Sequence, residues 1–267
     1  MNHVDLLARV LPSEGWYAVL GIKGKSVLQE LVQTREEVAE YTQKYMDAGR
    51  DVYFGCSKFA TADNRTKDNV LAIKSFWLDI DCGEKKAETN PKTGRPDGYI
   101  DQAAGLQALK EFCNTIGLPR PIMVNSGRGI HAYWPLSAAI TRAEWEPVAN
   151  RLNELCITHK FYVDAQVFEA ARILRIPGTK NFKDEPAHDV VLMNDAEDIE
   201  LDDLRQNLMK LWRLPELLVR ISDNRHPEQS IVRNVVLAVR LARHTADGWN
   251  NPAIPDDVDE IAQLLNA

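Results

Sequence analysis

The sequence SFWLDIDCG, residues 75–83, places two aspartates one residue apart on an apolar run that has the composition of a buried strand. Side chains alternate between the faces of a strand, so Asp79 and Asp81 share one face with Trp77, while Phe76, Leu78, Ile80 and Cys82 lie on the other and face the core. Two carboxylates this close repel each other, and burial raises their pKa unless a positive charge lies between them. A divalent cation, Mg²⁺ or Mn²⁺, meets this need with oxygen ligands. The alternative is an exposed pair where the strand ends in the loop beginning at Gly83.

A second stretch, VNSGRGIHAYW at residues 124–134, combines a glycine-rich turn with a histidine. Its hydroxyl and unhindered backbone N–H groups have the local geometry that holds phosphate oxygens. The histidine opens the following strand and can donate a hydrogen bond to a phosphate. The alternative is a β-hairpin in which the glycines serve only the turn and the histidine bonds at the surface. We predict a nucleotide-binding element made of Ser126, Gly127, Arg128, Gly129 and His131.

The third stretch, FYVDAQVFEAARILRIPGTKNFK, supplies another carboxylate and the clearest basic cluster of an acidic chain. Asp164 lies on a strand-like run, and Arg172 and Arg175 are predicted on one face of a short helical turn. Arginine forks suit bidentate contacts with phosphate, so we assign both arginines to nucleotide binding. Nucleic-acid binding is assigned to the lysines after the Pro-Gly break, Lys180 and Lys183. The alternative is a solvated helix face balanced by neighbouring acidic residues.

The overall charge neither predicts nor excludes a nucleic-acid partner. The chain has 267 residues and a formal net charge of −7, so a polyanion must be met by a local basic cluster. Its four cysteines are scattered without zinc-ligand spacing, which indicates reduced residues of the core. There is no signal peptide and no apolar segment of the ~20 residues that a membrane span needs. We therefore expect a cytoplasmic protein without a membrane partner.

The chain divides into a mixed part and a helical part. Strands and helices alternate to about residue 195, with capping boxes at Thr34 and Thr141 that predict helix starts. The polar segment 83–99 has the composition of a surface loop. Beyond residue 199 only helix-period patterns remain. We predict a catalytic domain over residues 1–198 and a helical accessory subdomain over residues 199–267.

Three carboxylates, a glycine-serine-histidine turn and an arginine pair are together the groups that a two-metal nucleotidyl-transfer site needs. One metal lowers the pKa of an attacking 3′-hydroxyl. The other holds the triphosphate and stabilises pyrophosphate as it leaves. In this interpretation the carboxylates hold metals and the basic groups hold phosphates.

In their order and residue pattern these motifs resemble those of the archaeo-eukaryotic primase (AEP) superfamily, the primase-polymerases. The resemblance is strongest to the branch found on phages, plasmids and other mobile elements. The mobile-element branch adds a run of the form RxLRxPGTxNxK, which residues 172–183 match. The three general motifs of the family are matched in order by Asp79 and Asp81, by Ser126 and His131, and by Val163 with Asp164.

The resemblance implies an α+β fold, with an RRM-like palm joined to an N-terminal α/β module and followed here by a small helical C-terminal subdomain. It implies a DNA-dependent primase-polymerase, a nucleotidyltransferase that makes or extends primers on single-stranded DNA from NTPs or dNTPs during replication of a phage or plasmid. The aspartates Asp79, Asp81 and Asp164 would hold Mg²⁺ or Mn²⁺, and the turn, His131 and the arginines would bind the nucleotide. Many relatives have aspartate where Glu169 stands, so Glu169 is the alternative to Asp164. A replicative helicase, on another chain or domain, is an implied partner.

Other functions remain open on the sequence. A DxD glycosyltransferase would use Mn²⁺ and a nucleotide diphosphate, but it gives His131 and the basic cluster no role. A catalytically silent replication-initiation or nucleic-acid-binding module would keep the fold without turnover. A rolling-circle nicking enzyme needs paired metal-binding histidines, and His131 has no histidine two residues away.

Overall fold

Two antiparallel sheets and the helices packed on them form the part of the chain that the structure, a computed structural model, describes: residues 3–209. In chain order the helices are α1 (His3–Val10), α2 (Arg35–Asp47), α3 (Glu84–Ala87), α4 (Gln102–Ile116), α5 (Arg142–Thr158) and α6 (Leu201–Met209). The strands are β1 (Tyr17–Lys23), β2 (Ser26–Val32), β3 (Asp51–Gly55), β4 (Lys58–Phe59), β5 (Val70–Asp81), β6 (Thr89–Asn90), β7 (Arg95–Pro96), β8 (Ile122–Asn125), β9 (Gly129–Ile140), β10 (Ile173–Arg175), β11 (Lys180–Asn181), β12 (His188–Asp189) and β13 (Val191–Leu192). Short 3-10 helices cover Lys67–Asn69 and Ala165–Phe168.

The first sheet has the strand order β10-β3-β1-β2, and the second has the order β13-β8-β9-β5-β4. Both are antiparallel throughout. In the second sheet β5 pairs with β9, which places Asp79 opposite His131 and Asp81 opposite Gly129. The pairs β6-β7 and β11-β12 are separate two-stranded hairpins. The predicted α+β class is confirmed, and the first two motifs lie on adjacent strands.

Alternation along β5 separates a fully buried apolar face from the face of the two carboxylates, on which Trp77 is also buried. As predicted for residues 75–81, the apolar side chains of one face are fully buried, and Ile80 lies against Gly105 of α4. Trp145 of α5 stacks on Trp77 with ring centroids 4.8 Å apart. Each buried aromatic side chain stabilises the fold by roughly 1.5–3 kcal/mol. This packing fixes the register of β5 and leaves the carboxylates of the motif beside the neighbouring sheet.

Helix starts and ends follow the predicted local signals. At α2 the Thr34 hydroxyl accepts from the Glu37 amide at 3.2 Å, and the Glu37 carboxylate accepts from the Thr34 amide at 2.9 Å. The same capping box begins α5 at Thr141. Helix α4 begins after Asp101 and ends at Gly117, whose φ of +71° is the left-handed conformation that glycine adopts at low cost.

The arginine-rich segment is a strand, and its prediction as a helical turn is wrong. Strand β10 pairs with β3, with Arg175 opposite Tyr53. The amide of Cys56 donates to the carbonyl oxygen of Arg172 at 2.8 Å. Pairing with the edge of β3 satisfies these backbone groups, whereas an isolated helical turn is marginal. Arg172 and Arg175 therefore do not share a helix face.

The predicted strand around Asp164 is also wrong, because this residue caps the 3-10 helix Ala165–Phe168. Its carboxylate accepts from the amide of Gln166 at 2.9 Å, a local bond that favours a turn over an extended strand. Two further differences concern elements that the sequence pattern did not indicate. Strand β2 was not predicted, and the segment 83–99, predicted as a loop, contains α3 and the β6-β7 hairpin.

The compact unit that contains the described residues extends from Met1 to Met209. It therefore includes α6, although the predicted catalytic domain ends at residue 198. Most of the predicted helical subdomain, from residue 210 onward, lies outside the described residues, and both boundaries stay predictions. Within the described range the four cysteines are buried and free, as predicted, and no helix has the length and apolar character to cross a bilayer.

Candidate active site between the two sheets

The acidic, histidine and arginine motifs meet where the two sheets face each other. Asp79 lies on β5 opposite His131 of β9, and Arg172 directly precedes β10 of the other sheet. The amide of Asp164 donates to the carbonyl oxygen of Asp79 at 2.9 Å, which joins the third motif to the first through the backbone. These four residues, which are separated by up to 93 positions in the sequence, thus lie close together.

Arg172 links two of the three aspartates. Its Nη2 atom lies 3.3 Å from Oδ2 of Asp79 and also donates to Oδ2 of Asp164. Burial raises the pKa of Asp79, and the guanidinium opposes that shift. The Nε atom of Arg172 is buried and has no hydrogen-bond partner. The two carboxylates therefore converge on one cationic nitrogen.

His131 is a neutral member of the site. Its side chain is 2% exposed, its Nε2 lies 3.8 Å from Oδ1 of Asp79, and its Nδ1 lies 3.4 Å from the hydroxyl of Tyr133. Burial, together with the charges of Arg175 and Arg172, lowers its pKa to about 3. The imidazole is therefore uncharged at neutral pH and acts through one N–H donor and one lone pair.

The third aspartate of the predicted triad has its own cation. Oδ2 of Asp81 accepts from Nζ of Lys86 on α3 at 2.7 Å. The sequence did not single out this lysine. The sequence has a lysine pair, Lys85-Lys86, soon after the acidic motif, but it does not indicate which of the two contacts Asp81.

The donor set fits a hard divalent cation. Each of the three carboxylates accepts from a cationic N–H group, and Asp79 and Asp164 already point at one position. Carboxylate oxygens are the ligands that Mg²⁺ and Mn²⁺ prefer. Among the described residues no three His, Cys, Asp or Glu side chains are placed so that together they could hold a metal ion. A metal at this site would take the place of the internal cations.

The glycine turn is built against the β11-β12 hairpin. The Asn181 side chain donates to the Ser126 carbonyl oxygen at 3.0 Å, and Gly127 has φ +88°. A Cβ on Gly127 would lie 2.9 Å from that of Asn181, so both space and conformation require glycine there. The amides of Ser126 and Gly127 already donate, to Gly129 and Asn125 respectively. They are not free for phosphate, in contrast to the geometry that the sequence suggested.

Two predicted basic residues are engaged elsewhere. Arg175 contacts Asp51 at 3.2 Å and covers the ring of Tyr53 at 4.9 Å, and both members of the ion pair are buried. It therefore acts on the site through its charge, which lowers the pKa of His131 and opposes the raised pKa of Asp79. Lys180 is exposed and pairs with Asp189 at 2.6 Å.

The remaining candidates lie at the rim. Arg128 is exposed on the turn, with its Nε 3.4 Å from a carboxylate oxygen of Asp184. Lys183 is exposed on the hairpin beside that turn. Glu169, the alternative to Asp164, is exposed, and its carbonyl oxygen accepts from the Arg172 amide at 3.0 Å. Of Asp164 and Glu169, it is Asp164 whose carboxylate contacts Arg172, so geometry favours Asp164.

Comparison with known proteins finds similarity in sequence and in fold. No family model matches the chain. A replication protein of Clostridium perfringens is 28% identical over 178 residues, which cover 64% of this chain but only 38% of that protein. The catalytic domain of primase RepB′ in complex with initiator DNA aligns with a TM-score of 0.48, at 12% identity over 82% of this chain and 98% of that one. The AEP domain of the cyanophage S-2L primase-polymerase aligns with a TM-score of 0.54, at 15% identity over 77% of this chain and 94% of that domain. This chain therefore has the fold of the AEP domain of primase-polymerases, the family that its motifs resemble.

Proposed function

We propose that the chain is a DNA-dependent primase-polymerase that makes or extends primers on single-stranded DNA by nucleotidyl transfer. The observation that carries the proposal is the convergence of Asp79 and Asp164 on one cationic nitrogen, beside His131, in an AEP-type fold. Phage or plasmid replication is the setting that the motifs suggest, and a helicase on another chain or domain is the partner that it implies.

The three aspartates would hold Mg²⁺ or Mn²⁺, which supplies activation of a 3′-hydroxyl and neutralisation of the triphosphate when bound. Once the carboxylates have another cation, Arg172 is free to donate to a phosphate oxygen. His131 is neutral and can donate one hydrogen bond without adding charge. Arg128 is exposed on the turn, where it can contact the phosphates of the nucleotide. Each group thus has a role that does not require a change of fold.

The template would pass the exposed basic residues of the turn and the β11-β12 hairpin, Arg128, Lys180 and Lys183. Because the chain carries a net charge of −7, binding to DNA should depend on these few residues and weaken steeply with salt. A DxD glycosyltransferase explains the first motif alone, and it leaves the contacts of Arg172 and His131 with Asp79 without a use.

The test is incorporation of labelled NTPs and dNTPs on primed and unprimed single-stranded DNA with Mg²⁺ or Mn²⁺. We expect metal-dependent products from the native chain and a loss of at least ~100-fold in Asp79→Asn, because a group that stabilises the transition state is removed. Asp203→Asn, at an exposed aspartate of α6, is the matched control and should keep full activity. The unprimed lanes report whether the protein initiates.

Products that persist in Asp79→Asn would contradict the assignment of the site. Absence of product from the native chain, with nucleotide or DNA binding retained, would favour the catalytically silent binding module instead.

A further inference from the structure

The segment 83–99, which follows the acidic motif, is fastened around Asp81. The Tyr99 amide donates to the Asp81 carbonyl oxygen at 3.0 Å, and the Gly83 amide donates to that of Tyr99 at 2.8 Å. Gly98 passes so close that a Cβ there would lie 2.2 Å from the Asp81 carbonyl oxygen. This segment is therefore built onto the end of β5 and is part of the site's wall.

Lys86 is held in place by this segment. Its carbonyl oxygen accepts from the amides of Asp97 and Gly98 at 3.0 and 2.9 Å, which locks the backbone of α3 where it faces β5. The ammonium group then lies 2.7 Å from Oδ2 of Asp81. The side chains are 42% and 38% exposed, so a ligand from solvent can reach both. Lys85, one residue earlier, is exposed and has no part in these bonds.

Lys86 and Arg172 have the same relation to the aspartates. Arg172 pairs with both Asp79 and Asp164, and Lys86 pairs with Asp81, so each carboxylate accepts from a cation of the chain itself. A divalent cation at these carboxylates must displace both groups. The phosphates that arrive with it then lie beside two side chains that have just lost their partners.

We propose that Lys86 is a ligand of the nucleotide phosphates. It pairs with Asp81 until a metal and a nucleotide bind together, and it then donates to the triphosphate. The inference rests on the proposed function and extends it to a residue outside the family motifs. No covalent step is involved, because one ion pair is exchanged for another.

This exchange predicts effects of opposite sign when the ammonium is removed. Without nucleotide, Lys86 competes with the metal for Asp81, so its loss should tighten the binding of Mn²⁺ alone. An exposed ion pair is weak, and the gain should be roughly two- to fivefold. With nucleotide, the same change removes a charge-assisted bond to phosphate, and affinity for a nucleoside triphosphate should fall roughly 10- to 100-fold.

The experiment measures binding, not turnover, with Lys86→Met in the full chain. Methionine keeps the length of the side chain, and the backbone bonds of α3 remain available to it. Mn²⁺ is titrated alone, by electron paramagnetic resonance of the free ion, and a non-hydrolysable deoxynucleoside triphosphate is titrated calorimetrically at saturating Mn²⁺. Lys85→Met is the matched control and should behave as the native chain in both titrations. Lys86→Arg, which keeps the charge, should retain at least part of the nucleotide affinity.

The inference is supported if Mn²⁺ binds more tightly and the triphosphate more weakly in Lys86→Met. It is overturned if both affinities fall together, since that indicates a structural role, or if neither changes. The native chain and Asp79→Asn separate this result from the proposed function. A native chain without metal-dependent nucleotide binding overturns both, whereas nucleotide binding that Asp79→Asn abolishes and Lys86→Met leaves unchanged overturns the inference alone.

Discussion

Several buried or partly buried side chains in the described part of the protein have a partner of opposite charge. Asp79 and Asp164 share Arg172, and Asp51 has Arg175. Lys58 is the contrast: it is fully buried, and its Nζ has no hydrogen-bond partner. The Nζ atom lies 2.9 Å from the centroid of the Tyr17 ring, in a cation–π contact. The buried ammonium group of Lys58 therefore destabilises the fold, and the effect can be measured.

Burial lowers the pKa of Lys58 to about 7, with a smaller contribution from Arg35. Between this value and the usual pKa of a lysine, about 10.4, the unfolded chain binds the additional proton. Lys58 by itself therefore makes the free energy of unfolding rise as pH increases from 7 to 9, whereas the four buried cysteines, whose pKa burial raises, lower it towards pH 9. Lys58→Met should increase stability at pH 7 by ~1–3 kcal/mol, because an unsatisfied donor is lost, and this advantage over the native chain should shrink towards pH 9.

Urea denaturation at pH 7 and pH 9 measures both effects. Lys25→Met, at an exposed lysine, is the control and should keep the pH dependence of the native chain. The same difference in stability between the native chain and Lys58→Met at both pH values would show that Lys58 keeps an ordinary pKa in the fold.

At the scale of elements, the contact between β3 and β10 positions the arginines of the site. Asp51 of β3 accepts from Arg175 through Oδ2 and from the Phe182 amide through Oδ1, at 3.2 and 2.7 Å. Removing one partner of a buried ion pair leaves an uncompensated charge and costs about 3–5 kcal/mol. Asp51→Asn should therefore lower the free energy of unfolding by that amount, measured by chemical denaturation.

The matched control lies on the neighbouring hairpin, where Lys180 and Asp189 form an exposed pair. Asp189→Asn should produce no measurable change, because such pairs contribute little. If Asp51→Asn lowered the free energy of unfolding no more than Asp189→Asn does, the β3-β10 contact would not depend on the buried charge.

Elements determined by neighbouring residues could be predicted from the sequence, and those determined by distant partners could not. The capping box at Thr34 and the alternation of faces along β5 depend only on local geometry; the first is confirmed, and the second is seen over residues 78–81. Strand β10 exists because β3 offers a partner, so a short apolar segment with two arginines gave the wrong interpretation. Lys86 reaches Asp81 only because the segment 83–99 folds back, and no local pattern records that reversal.

At the scale of the whole molecule, the position of the domain boundary is the open structural question. The sequence predicts a catalytic domain that ends at residue 198, whereas the compact unit of the structure ends at Met209. Between the two lies α6, with Leu204 and Leu208 buried. The Ile199 backbone also bonds with the strand β9, donating to the carbonyl oxygen of Pro135 at 2.8 Å.

Two shortened chains, ending at residue 198 and at residue 209, test the boundary. The chain of 198 residues loses two buried leucines, each worth about 1.5–3 kcal/mol, so its free energy of unfolding should be roughly 3–6 kcal/mol below that of the longer chain. The chain of 209 residues keeps every described site residue and should bind Mn²⁺ and a triphosphate as the full chain does. Chemical denaturation and calorimetric titration measure the two quantities. Equal stability of the shortened chains would move the boundary back to 198, and loss of binding in the 209-residue chain would assign residues 210–267 a part in holding the nucleotide.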